Sequence, residues 1–144
     1  MVSTLNRSTS SSHVGGDHLD TPVRSLMTPG VVTLVEDASV RHAFAALTAH
    51  RVHAVLVVGR QRGMPLGWVT AHGLLPYLEA DDDLLSVRDA ITEEPRTIEP
   101  SASAREALVA LAEPGTSHLL VTPRNSLVPE GVLSDLDLAG VAVR

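Results

Sequence analysis

The chain is predicted to be an α/β (α+β) protein made of two pseudo-symmetric β-α-β-β-α repeats packed as a pair, with clefts between them. The first observation is internal repetition: Val23 to Ala80 recurs at Val87 to Arg144 with no insertion or deletion. Matches fall at Thr28/Thr92, Thr33/Thr97, Arg41/Arg105, Leu47/Leu111, Pro65/Pro129, Gly67/Gly131 and Leu74/Leu138. The second is size. A chain of 144 residues, 44% hydrophobic, is of single-domain length. Two copies of so short a unit are too few for a solenoid, so each must hide its apolar face against the other. The third is that both copies run through the same local patterns in the same order.

Residues 1–20 carry five serines in the first twelve positions and the pair Gly15-Gly16. They read as an unstructured tail outside the core. The first repeat occupies 21–80 and opens with a strand near Val31–Val35, matched by Arg96–Ile98 in the second. Asp37 and Ser101 are the expected N-caps, whose side-chain oxygens would satisfy free N–H groups of the first helical turn. Val40, Ala43, Phe44 and Leu47 then follow the spacing of an amphipathic helix, and Ala104, Ala107, Leu108 and Leu111 reproduce it. A strand comes next, Ala54–Val58 or Leu119–Val121, followed by a polar turn ending in Pro65 or Pro129. The second hairpin strand, Gly67–Val69 or Gly131–Leu133, leads into a short helix near Leu74–Glu79 or Leu136–Val141. Between the repeats, 81–86 reads as an acidic linker. Its Asp81-Asp82-Asp83 lacks the alternating ligands and turn glycine of a calcium loop. The second repeat is 87–144.

Composition narrows the function. Eleven Lys and Arg against seventeen Asp and Glu give a net charge of −6 and form no long run, which disfavours nucleic acid as a partner. No apolar stretch approaches the roughly 20 residues that span a bilayer, so no membrane partner is expected. The absence of cysteine fits a reducing, cytoplasmic setting. Seven histidines are present, but no Cys, Asp or Glu stands at ligand spacing from His50 and His53, so no metal site is expected. His118 heads the apolar run Leu119-Leu120-Val121 and reads as a cleft or core-edge residue. No nucleophile elbow or phosphate-binding loop occurs, and the expectation is a non-enzymatic protein.

The paired signatures Gly67-Trp68-Val69-Thr70-Ala71-His72-Gly73-Leu74 and Gly131-Val132-Leu133-Ser134-Asp135-Leu136-Asp137-Leu138 resemble those of the cystathionine-β-synthase (CBS) domain family. Val23-Arg24-Ser25-Leu26-Met27-Thr28 and His50-Arg51-Val52-His53-Ala54-Val55 are similar to other segments of that family. Two such repeats in tandem resemble the Bateman module. The resemblance implies that Gly-x-x-Ser/Thr-x-x-Asp marks a nucleotide site. Gly131 would let a ligand approach the backbone, Ser134 would hold a phosphate, and Asp137 would accept both ribose hydroxyls. Thr70 is kept in the first repeat, but Gly73 stands where the carboxylate should be, which leaves one complete site and one degenerate one. Arg51 and His53 are the implied phosphate contacts, and Ile91, Thr97, Ile98 and Val132 the implied adenine slot.

Each of these residues also has a purely structural role open to it. Ser134 and Asp137 match a helix-capping arrangement, Arg51 a solvated helix end, and Ile98 and Val132 a core. The resemblance further implies a homodimer and an unidentified effector protein, with AMP, ADP or ATP as a regulatory ligand rather than a cofactor. A ligand-free scaffold for dimerisation or protein docking is the alternative.

Overall fold

Ser39 and Ser103 start the two long helices. In the computed structural model, which describes residues 18–79 and 85–143, each sits in extended backbone and its hydroxyl accepts a hydrogen bond from the N–H three residues on, at His42 or Glu106. The helices are α1 (Val40–His50) and α3 (Ala104–Leu111). The expected caps, Asp37 and Ser101, lie two residues too early. A turn closed by Ala38 N–H on the Val35 carbonyl, and by Ala102 N–H on Glu99, separates strand from helix, and Asp37 is drawn instead into an ion pair with Arg60.

Strands β2 (Thr33–Val35), β3 (Ala54–Val58) and β4 (Pro65–Thr70) form one sheet in the order β2-β3-β4. Strands β1 (Thr28–Pro29), β5 (Thr97–Ile98), β6 (His118–Val121) and β7 (Gly131–Ser134) form the other, ordered β1-β7-β6-β5. Short helices α2 (Ala71–Leu74) and α4 (Asp135–Ala139) follow the hairpins, each continued by a 3₁₀ turn. Both helices begin three residues or fewer before the Leu74 and Leu136 expected to open them.

The strand order carries an exchange. Strand β1 belongs to the first repeat by sequence, yet it pairs antiparallel with β7 of the second, Thr28 opposite Val132 and Pro29 opposite Gly131. Reciprocally, residues 92 and 93 line β4: Trp68 N–H donates to Glu93 O and Thr92 N–H donates to Trp68 O. The lead-in segments pack the same way. Val23 and Leu26 join the core formed by Ala104, Ala107, Leu119, Leu133 and Leu138, whereas Val87 and Ala90 join that of Val40, Ala43, Leu47, Val55 and Leu74. Each half is therefore completed by the other's lead-in.

A third apolar layer lies between the sheets, where Ala54, Leu56 and Trp68 meet Leu120, with Val31, Val58 and Val132 at its margin. Most of the expected tail and linker, residues 1–17 and 81–84, falls outside the described residues. The tail's last positions are packed: Leu19 lies against the second core and its carbonyl accepts from Arg105 N–H, and Asp20 pairs with Arg105 at 2.7 Å.

Candidate functional site

The turn from β7 into α4 is built by Ser134 and Asp137. Ser134 Oγ accepts from Asp137 N–H at 3.1 Å, and Asp137 Oδ2 accepts from Ser134 N–H at 2.9 Å. This is a capping box. It uses only one oxygen of the carboxylate: among the described residues nothing donates to Asp137 Oδ1, and the Ser134 hydroxyl keeps its own proton to donate. At the matching turn, Thr70 Oγ1 accepts from Gly73 N–H at 3.0 Å, with no carboxylate to reply.

Gly131 was expected to admit a ligand, but the chain itself fills that space. A Cβ there would lie 2.4 Å from the Thr28 carbonyl oxygen and 2.9 Å from Met27 Sδ. The glycine is required by the close approach of β1.

The expected adenine slot is not gathered around Asp137. Val132 shares a face of β7 with Ser134, since side chains alternate along a strand. Ile91 instead lies over Gly67 in the other half, 2.4 Å from where a Cβ would stand. Thr97 and Ile98 are on β5, beyond β6, where they line a separate cleft of about 580 Å³ with Met64, Pro65 and Thr122. The exchange of lead-ins puts Thr28, not Ile91, beside β7. Sequence reasoning passed over Thr28 as a site residue, although its identity with Thr92 was the available signal.

Arg51 closes α1 in the left-handed conformation, φ 54 and ψ 45, exposed to solvent. Its repeat counterpart, Gly115, also has a positive φ of 79 but lies in the turn beyond α3, whose own cap is Ala112; arginine adopts the left-handed conformation at a cost of about 1 kcal/mol.

His53 lines a different cleft, the one at the first-repeat turn. This cavity of about 540 Å³ is also bordered by Thr70, Gly73, Thr92, Glu93, Ser117 and His118. Ser117 donates to Glu93 twice, through its N–H at 2.9 Å to Oε1 and its hydroxyl at 2.5 Å to Oε2, and its Oγ lies 2.7 Å from His118 Nδ1. The His118 ring is 8% exposed and stands 5.5 Å from that of Trp68 on the opposite sheet.

Burial holds the His118 pKa below its ordinary 6.5, Glu93, Asp135 and Asp137 pull it partly back, and His53 adds to the depression. The folded chain thus keeps this imidazole neutral where the unfolded chain would protonate it. Stability is full above about pH 6.5 and falls as the pH drops below that, through the folded value. Thermal melts between about pH 8 and 5 should show this loss, and His118→Gln should flatten it. Equal losses in both proteins would remove His118 as the cause.

The repeat counterparts of Trp68 and His118 are Val132 and Ala54. Trp68 and His118 meet across the sheets, while in strand register Ala54 stands opposite Thr70 and His118 opposite Ser134.

Among the described residues no group of three His, Cys, Asp or Glu could hold a metal ion, and no helix is long and apolar enough to cross a membrane. The family model described as CBS domain matches twice, at 23–80 and 87–144. No curated protein sequence matches the chain. Among solved structures it is similar to the CBS domain of a bacterial CNNM/CorC family Mg2+ transporter in complex with ATP, at 22% identity, TM-score 0.79, with 96% of this chain and 98% of that one covered. It is also similar to a CBS domain protein from Pyrobaculum aerophilum complexed with AMP, at 20% identity, TM-score 0.70, covering 86% and 100%. A third is the CBS domain of a CBS domain containing membrane protein from Sphaerobacter thermophilus, at 19% identity, TM-score 0.74, covering 94% and 96%.

Proposed function

The chain belongs to the CBS domain family as a tandem pair, and from that premise we propose that it is a non-enzymatic regulatory module. It binds an adenosine-containing nucleotide of the AMP, ADP or ATP type at the second-repeat turn and passes its state to a partner protein. The observation that carries this reading is the uncommitted Asp137 Oδ1 beside the Ser134 hydroxyl. Ser134 donates to a phosphate oxygen, Asp137 accepts from the ribose hydroxyls, and Thr28 and Val132 wall the base. Arg51 supplies a phosphate contact in this reading, and His53, which lines the other cleft, does not. Similar folds are described with ATP and with AMP, which agrees with it. A nucleotide shifts the packing of the halves only by binding one arrangement more tightly than another.

Nucleotide at 100 times its dissociation constant is expected to add about 2.7 kcal/mol to the stability, read as a rise in melting temperature. Asp137→Ala should erase that ligand-induced rise, whatever it costs as a lost cap (about 1 kcal/mol). Arg51→Gly, which suits the left-handed backbone, should keep the fold and weaken the rise. An Asp137→Ala protein that responds as fully as the parent sinks the assignment.

The scaffold reading has its own observation. On α3 and α4 the apolar side chains Leu108, Val109 and Leu136 are 46%, 69% and 70% exposed, a face suited to a two-fold homodimer. Light scattering at micromolar concentration should report a dimer, and Val109→Lys should reduce it to a monomer. A parent protein that is already monomeric excludes this face as a self-association surface.

A further inference from the structure

The first-repeat cleft has the wrong charge for a phosphate. Glu93 and Asp135 are among its lining residues, and no lysine or arginine is. Glu93 is brought in by the lead-in of the second repeat, to the very turn whose own carboxylate position is Gly73. Ser117 fixes both its oxygens, and a carboxylate has about four acceptor positions, so about two are left open.

A second observation is independent of that charge. The Ser117 hydroxyl spends its proton on Glu93, so its Oγ can only accept from His118, and the His118 proton must sit on Nδ1. The neutral imidazole then presents Nε2 as a bare acceptor. Among the described residues nothing donates to it, although the side chain is more than nine-tenths buried and lines the cleft. Carboxylate and imidazole thus present open acceptor positions to one cleft, alongside the hydroxyls of Thr70 and Thr92 and the rings of His53 and His72.

We infer that this cleft is a second ligand site, selective for a small molecule bearing a protonated amine, which donates to Glu93 and to His118 Nε2. The charge preference is opposite to that of the nucleotide turn and stands without it. Only the nucleoside frame of the probe rests on the nucleotide reading, through the matching hydroxyls of Thr70 and Thr92.

The test is calorimetric titration of the Asp137→Ala chain, in which the nucleotide turn is silenced, with 5′-amino-5′-deoxyadenosine, adenosine and AMP. These share base and ribose and differ in charge. The amine is expected to bind at least about tenfold more tightly than AMP, a difference of about 1.4 kcal/mol, and added salt should shrink the gap. Glu93→Gln should remove it. His72→Arg, an exposed cleft position, should reverse it, which a misfolded protein could not do. AMP binding as tightly as the amine, or no heat from the amine, overturns the inference. Failure of AMP to bind the parent chain would count against the nucleotide turn alone.

Discussion

Trp68→Ala is expected to cost about 3–5 kcal/mol and to lower the melting temperature by about 10–20 °C. Trp68 is the largest fully buried side chain, 1% exposed, and stands in the layer between the two sheets. It pairs with Leu56 across β3 and β4, and its ring meets His118 on the far sheet. Removing it opens a void that neither rigid sheet can close, since Leu56 and Leu120 are anchored in their own strands. The side chain also carries a flaw, because its Nε1–H is buried without a partner. Trp68→Phe deletes that unsatisfied donor, a gain of about 1–3 kcal/mol that offsets much of the lost volume. Denaturant midpoints should therefore rank parent and Phe close together and Ala far below. An Ala variant within about 1 kcal/mol of the parent would mean that the sheets do not bear on this residue.

The second large effect is expected at Gly131. The Cβ of alanine there would meet a backbone oxygen, Thr28 O, at 2.4 Å, and a backbone cannot swing aside as a side chain can. Either β7 bends or β1 leaves its edge, and both lose the Thr28–Val132 pairing. The cost is about 2–3 kcal/mol. Gly140→Ala is the control, because a Cβ at that position meets nothing within 4 Å. If the two alanine variants melt alike, β1 is not held against β7 as described.

Much of this was legible in the residues. Ala54–Val58 is a strand with the expected bounds, and the four-residue helical spacing marked the buried face of α1 at Val40, Ala43 and Leu47. The caps were misread by two positions although the correct ones, Ser39 and Ser103, are identical in both repeats while Asp37 and Ser101 are not. The exchange of lead-ins was hidden for a physical reason. Periodicity reports which face of a segment is apolar, not which sheet it joins, and two near-equal halves offer each lead-in two near-equal edges. That ambiguity misplaced Ile91 and left Thr28 unnoticed. At Ser134 and Asp137 the spacing suggested capping or ligand contact as alternatives. A carboxylate with two oxygens leaves room for both, one to cap and one spare.

The exchanged lead-ins also bear on how the chain is made. Strand β1 is synthesised roughly a hundred residues before its partner Val132. At about 5–20 residues per second, β1 waits roughly 5–20 s for the edge it completes. Early in that interval, for about 1–4 s between the synthesis of Thr70 and of Ala90, the first half already has its own three strands but lacks Val87 and Ala90 from its core. A newborn first half is therefore an open-edged intermediate, and a second nascent chain nearby could lend the missing lead-in before its own arrives.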